Sequence, residues 1–430
     1  MFTTTNSNKI KILIPVFAIL CGAFGIQKGM THKKYNGTNP GYYKQWLEEK
    51  KNDNGVIPTG LRGKWAAFDR VSAMRRGSET PFDTLWELGP RSYGGRTRAV
   101  WIDPNNDNII LAASISGGMW RSEDGGFSWN PLNEQEISMM PSCITHNPMN
   151  PSIVYYGTGE SRANSADVTG NGVFKSIDGG KSFTQLASTA DNVNFTNVWD
   201  IAHSQDDPNT LFVATHNRGV FRSEDAGSTW ERVYTSSPVD RIICLPNNRV
   251  VIGRTYNGVL YSEENGDVNS FKASILNEAV GSSFGRVQLS YCKNFPNVVY
   301  AMMEGRGFSD PCAGFYRSSD SGKTFIKKEV PTSIASGYNL YCQMLGAHPS
   351  DTNKVVSGGV RIAQSNNGGL TWSSKNTGHS DHHAFYPFKN SDAYLIGTDG
   401  GMYRYTWSSK TAAPRNTGYK VTQFYAGAFA

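Results

Sequence analysis

Five stretches decide the reading of this chain: SEDGGFSW at 122–129, SIDGGKSF at 176–183, SEDAGSTW at 223–230, SSDSGKTF at 318–325 and SNNGGLTW at 365–372. A stretched relative, SEENGDVNSF, spans 262–271. The unit is Ser-x-Asp-x-Gly-x-Ser/Thr-Trp/Phe, with Asn367 in the Asp place of the last copy. Its aspartate positions recur every 39 to 56 residues, the length of one four-stranded propeller blade. The residue types suit a turn. Asp124, Asp178, Asp225, Asp320 and Asn367 accept hydrogen bonds from backbone N–H groups, and the following glycine permits positive φ. The closing aromatic then begins a strand and buries its ring between blades. Structural work accounts for these carboxylates without catalysis.

Working outward, each copy is preceded by an Asn/Pro-rich turn, a β-rich run and a Gly-led short strand, as in DPNNDNIILAASISGGMWRS. No helical periodicity longer than two turns appears after residue 85. The pattern predicts an all-β propeller of about seven four-stranded blades. They fall near 96–129, 140–183, 197–230, 238–271, 283–325, 340–372 and 381–409, the last lacking the Ser-x-Asp turn. Thr84–Leu88 is strand-like and is a candidate to close the ring, and residues 417–430 resemble the start of a further unit.

The repeat strongly resembles the Asp-box (BNR) repeat of sialidases, sortilin-type propellers and xyloglucan-hydrolysing propeller enzymes. WELGPRSYGGRTRAVWIDPNN at 86–106 and the later HSDHHAFYPF and IGTDGGMYR runs resemble large exported bacterial proteins of the sortilin-like group. The resemblance covers residues 85–430 and implies a propeller. It says little about activity, because one fold hosts many functions.

Composition agrees with this class. The 430 residues include 45 Gly and 19 Pro, with 12% aromatic and only 18% charged residues. The net charge of +6 sits in the leading segment: residues 1–80 carry 13 Lys and Arg against 5 Asp and Glu, and the remainder 29 against 31. A near-neutral body argues against a nucleic-acid groove. Lys9 and Lys11 precede an apolar run, Ile12–Phe24, with small residues at Ala23 and Gly25, so 1–25 reads as an export signal. Membrane association is then expected only through export or surface attachment. Residues 26–83 read as a lead-in with two short helices. Five cysteines follow the signal without CxxC spacing, which argues against a zinc site. One or two bridges are open to them after export, with Cys292, Cys312 and Cys342 as the favoured contributors.

Chemistry is harder to find. Among sialidase-like features, Arg91, Arg96 and Arg98 cluster in sequence, and strand alternation puts Arg96 and Arg98 on one face, but the Arg-Ile-Pro opening is absent. The resemblance to xyloglucanases implies paired aspartates, one within an Arg-Thr-Asp-Ile-Gly-Gly run. The comparable stretch here is AASISGGMWR, with Ile115 in the Asp place. Asp399 and Asp381 remain as the candidate carboxylates if the protein is a glycoside hydrolase. His379, His382 and His383 join Asp381 in the densest polar cluster, which suits a binding or general-base role, or plain backbone bonding. Glu160 and Arg162 open a long Gly/Asn-rich loop of the kind that carries ligands at a propeller's end, and Tyr256 and Tyr341 are aromatic candidates for sugar stacking. No metal and no cofactor is called for. The sequence thus predicts an exported or surface propeller that binds a glycan or a protein. A glycoside hydrolase is the alternative, and a structural or secretion-associated role the third option.

Overall fold

The computed structural model describes residues 94–421, except 116, 133–139, 161–168, 237, 281–283, 308–309, 335–342, 376 and 390. The expected signal segment, the lead-in and Thr84–Leu88 lie outside the described residues, as do Arg91, Arg162, Tyr341, Cys342 and 422–430.

Seven sheets follow one another along the chain, each built on four antiparallel strands in sequence order. Their first strands are Thr97–Asp103, Pro141–Asn147, Val198–His203, Val239–Leu245, Phe284–Cys292, Met344–Ala347 and His382–Pro387. Each first strand touches those of the neighbouring blades, and the first also touches the seventh, so these strands line the axis of a closed ring. The only helix among the described residues is a 3-10 turn at Thr332–Ile334. Blade boundaries match the sequence reading within a few residues. One departure is in blade 5, where Ile275–Leu276, part of the link from blade 4, adds a fifth strand parallel to Thr324–Lys328.

The recurring turns behave as their residue types require. In blade 2, Ser176 Oγ accepts from the N–H groups of Asp178 (3.2 Å) and Gly180 (2.9 Å) and donates to Asp178 Oδ1 at 2.7 Å. Asp178 then accepts from Ser182 N at 3.0 Å and Ser182 Oγ at 2.6 Å. Asp124, Asp225 and Asp320 repeat the pattern. Asn367 preserves it with an amide, accepting from Thr371 N at 2.9 Å and donating to Thr371 Oγ1 at 2.8 Å. Gly180 adopts φ 77° and abuts the previous blade so closely that a Cβ would lie 2.6 Å from Leu111. The stretched copy in blade 4 has no such aspartate; Ser262 Oγ meets Ser270 Oγ at 2.6 Å instead. Blade 7 makes its hairpin with Lys410 at φ 58° and its N–H bonded to Thr406 O at 2.9 Å.

The core lies between blades. Each turn's closing aromatic packs against the preceding blade: Phe183 against Trp101 and Leu111, Trp230 beside Tyr155, Phe325 beside Val251 and Trp372 beside Phe315. Trp129 does the same against blade 7, joining Ala384, Leu395, Tyr419 and Val421. The ring therefore closes by side-chain packing, and blade 7 takes its fourth strand from Thr411–Pro414. The thiol of Cys292 is buried, unbridged and donated to Pro349 O at 3.2 Å, which removes it from the expected disulfide contributors.

Asp178→Ala should cost about 1–2 kcal/mol, because it strands the Ser182 N–H and breaks the turn. Asp178→Asn should cost clearly less, since Asn367 fills the same role in blade 6. Urea unfolding of the two variants at pH 7 checks this; equal losses would contradict it. Burial raises the Asp178 carboxyl, but its hydrogen bonds outweigh that and bring it down to about 2. Its contribution is therefore full above pH ~4 and lost as the pH falls toward 2.

Candidate functional site

Six of the seven first strands carry an irregularity of register near their start. Thr97 pairs with Ser114 and Ala99 with Ala113, leaving Arg98 as the extra residue. Ser142, Trp199, Asp240 and His383 are extra in the same way, and blade 5 gains one residue between Phe284 and Val287. Such bulges re-aim side chains. Here Arg98, Ser142, Trp199, Arg286 and His383 all line one pocket on the axis, joined by Arg241, Gln288, Gln343, Glu160, Gly159 and Ile115. All seven blades contribute. Ile115, Glu160 and Asp399 follow the second strands of blades 1, 2 and 7, so the site lies at the end bearing those turns. The Ser-x-Asp turns, between third and fourth strands, lie at the opposite end.

Charges in the site are paired and largely buried, with Asp399 and Arg241 the more exposed. Arg98 donates to Glu160 and, at 2.8 Å, to His383 Nδ1. His383 Nε2 lies 2.6 Å from Asp399 Oδ1, which also receives Arg96 Nε at 3.1 Å. An arginine can only donate, so Nδ1 of His383 accepts and the proton sits on Nε2, facing the carboxylate. The ring is thus neutral, and burial together with the Arg98 charge pushes its pKa down to about 3. Burial raises the Asp399 carboxyl, yet the His383 hydrogen bond and the Arg96 charge hold it well below the usual carboxylate range. Arg96 Nη1 also lies 3.8 Å from Glu160 Oε2. One guanidinium therefore contacts both Glu160 and Asp399.

Neighbouring acids staple blades together. Asp200 Oδ2 accepts from Ile242 N at 2.9 Å while Oδ1 meets Arg241 Nη1 at 3.0 Å. Asp240 Oδ2 accepts from Val287 N and Thr255 Oγ1, both at 2.9 Å, with Arg286 Nε 3.8 Å from its other oxygen. Within blade 5, Glu304 Oε2 accepts from Arg286 N at 3.0 Å.

The structure thus brings together five of the residues singled out from sequence: Arg96, Arg98, Glu160, His383 and Asp399. Others lie beside it or elsewhere. His382 is buried at 1% exposure between Thr377 Oγ1 (2.5 Å) and Gly359 O (2.8 Å), a structural histidine whose pKa burial lowers to about 4. His379 is half-buried, its ring lies against Gly400, and its Nδ1 lies 2.9 Å from Ser380 O. Asp381 sits at φ 62°, and its backbone carbonyl accepts from Asp399 N at 3.1 Å. Tyr256 is 51% exposed and does not line the pocket. Trp199, Arg241, Arg286, Gln288 and Gln343 were missed. Their shared signal, a place near the start of each blade's first strand, shows only once the bulges fix the register. Among the described residues no group of three or more His, Cys, Asp or Glu could hold a metal ion, and no helix is long and apolar enough to cross a membrane.

No known protein-family model matches the chain. A xyloglucanase from Paenibacillus sp is 25% identical over 205 residues, which are 46% of this chain and 16% of that enzyme. The GH74 xyloglucanase structure from Xanthomonas campestris superposes with a TM-score of 0.58 at 14% identity, over 78% of this chain and 56% of its own. The structure of YCF48 bound to D1 peptide superposes with a TM-score of 0.51 at 13% identity, over 75% of this chain and 99% of its own. The match thus spans less than two thirds of either xyloglucanase. These likenesses establish the seven-bladed propeller fold.

Both His383 and His382 are held neutral in the folded state and titrate near 6.5 when unfolded. The unfolded chain therefore binds more protons between those values, and stability falls as the pH drops below about 6.5. Each histidine should remove about 2 kcal/mol between pH 7 and pH 5. Urea midpoints at the two pH values check the direction. Nitrogen-15 NMR of His383 at pH 5 should show the neutral Nε2–H form, and an imidazolium there would contradict the assignment.

Proposed function

We propose that this chain is an exported or cell-surface propeller of the Asp-box, sortilin-like group that binds a glycan at the axial mouth of its ring. The observation that carries the reading is the pocket itself, to which every blade contributes and which opens at the end bearing the second-to-third-strand turns. The xyloglucanase similarity favours a saccharide over a protein as ligand. Ile115 stands where the resemblance calls for a catalytic aspartate, and Asp399 is held ionised by Arg96 and His383. A general acid must carry its proton at working pH, which Asp399 in this setting does not. Binding without hydrolysis is therefore the preferred reading. The hydrolase alternative draws support from the presence of two carboxylates, Glu160 and Asp399, on either side of Arg96. Residues 1–25 are read as the export signal.

The full chain should be incubated with xyloglucan, other plant and bacterial polysaccharides and sialosides, with retained protein and released reducing ends measured in parallel. Retention on a polysaccharide without new reducing ends is the expected outcome. Release that Asp399→Ala abolishes would replace the binding reading by the hydrolase one.

A further inference from the structure

The axial cavity is small, about 30 Å³, enough for a water or two and too small for a sugar ring. Its walls are rich in hydrogen-bond donors. Three guanidinium groups, those of Arg98, Arg241 and Arg286, converge there with Gln288 and Gln343. Two of these side chains have capacity to spare. Gln343 is only 5% exposed, yet neither its Oε1 nor its Nε2 has a partner. A buried amide left so is costly, and such a group calls for an occupant. Arg241, the most exposed arginine of the site at 38%, gives only Nη1 to Asp200, and its Nε is buried without a bond.

The acids nearby are all engaged with arginines or backbone N–H groups, so the spare capacity is that of Gln343 and of the remaining N–H groups of Arg241. Glu160 also lines the pocket, but Arg98 and Arg96 hold that carboxylate. Asp200 and Asp240 each give one oxygen to a backbone N–H of the next blade and turn the other toward Arg241 and Arg286, and Glu304 accepts from Arg286 N. What fits is a planar group of three heavy atoms with two acceptor oxygens, matching the fork of a guanidinium. It enters from the open end while the body of its molecule stays outside.

We propose that the axial pocket takes a carboxylate carried by an acidic saccharide, a uronate, with Arg241 and Gln343 as its direct contacts. The saccharide part rests on the glycan reading above; the carboxylate part rests on the pocket alone. A neutral xyloglucan chain would then be a poorer ligand than an acidic one.

Calorimetry on the full chain tests this with five probes: trigalacturonic acid, its methyl ester, a xyloglucan heptasaccharide, and a tripeptide as free acid and as C-terminal amide. The acid should bind at least tenfold more tightly than its ester. Arg241→Gln and Gln343→Leu should each weaken the acid at least tenfold and leave the ester unchanged, with the urea midpoint of Gln343→Leu close to wild type. Arg241→Lys keeps the charge but loses the fork, so it should recover only part of the affinity. Equal affinity for acid and ester, or no binding of the acid, overturns the proposal. Xyloglucan binding without acid preference overturns it as well, while the glycan reading stands. Acid-dependent peptide binding without saccharide binding overturns the saccharide source and the glycan reading together.

Discussion

Closure of the ring is the constraint on which everything else depends. Blades 1 and 7 are farthest apart in sequence, yet Trp129 Nε1 donates to Arg415 O at 2.9 Å and the Thr97 hydroxyl meets the Tyr419 hydroxyl at 3.0 Å. Around these bonds Trp120, Trp129, Leu395, Met402 and Tyr419 form one buried cluster. The cost of joining ends 300 residues apart grows only slowly with loop length, whereas the apolar area buried at the seam grows with every aromatic placed there. The same seam builds the site, because Arg96 and Arg98 meet His383 and Asp399 nowhere except across it.

Within each blade, stability is assembled locally and then shared. A serine and an aspartate satisfy the N–H groups of the third turn, and the aromatic that follows reaches back to the previous blade. Copies that lose the aspartate show which part of the motif is dispensable. Blade 4 substitutes a serine pair, and blade 7 a short hairpin with Lys410 at positive φ. In both, the blade still forms, because its strands remain apolar on the faces that meet their neighbours.

The axis obeys a different rule. Most charges there are buried, so each of those must be paired or hydrogen-bonded to persist. Arg98 fixes His383 as a neutral donor, His383 and Arg96 hold Asp399 ionised, and Asp200 and Asp240 tie successive blades through backbone N–H groups. A network engaged in this way suits a rigid, preformed recognition surface better than proton transfer.

The sequence by itself determined the blades: the Ser-x-Asp turns, their spacing and the strand-like runs between them gave the number of blades and nearly their limits, because those signals are local and repeat. It also marked Arg96, Arg98, Glu160, His383 and Asp399, though not that they meet, and it could not tell that the bonds of His382 with Thr377 and Gly359 occupy both ring nitrogens. Only the tertiary structure decided which residues face the axis. Bulges shift the two-residue alternation of the first strands by one place, so Trp199, Arg286 and their counterparts turn inward where simple alternation does not put them. Ring closure then brings the two chain-distant blades together, a relation that no local pattern encodes.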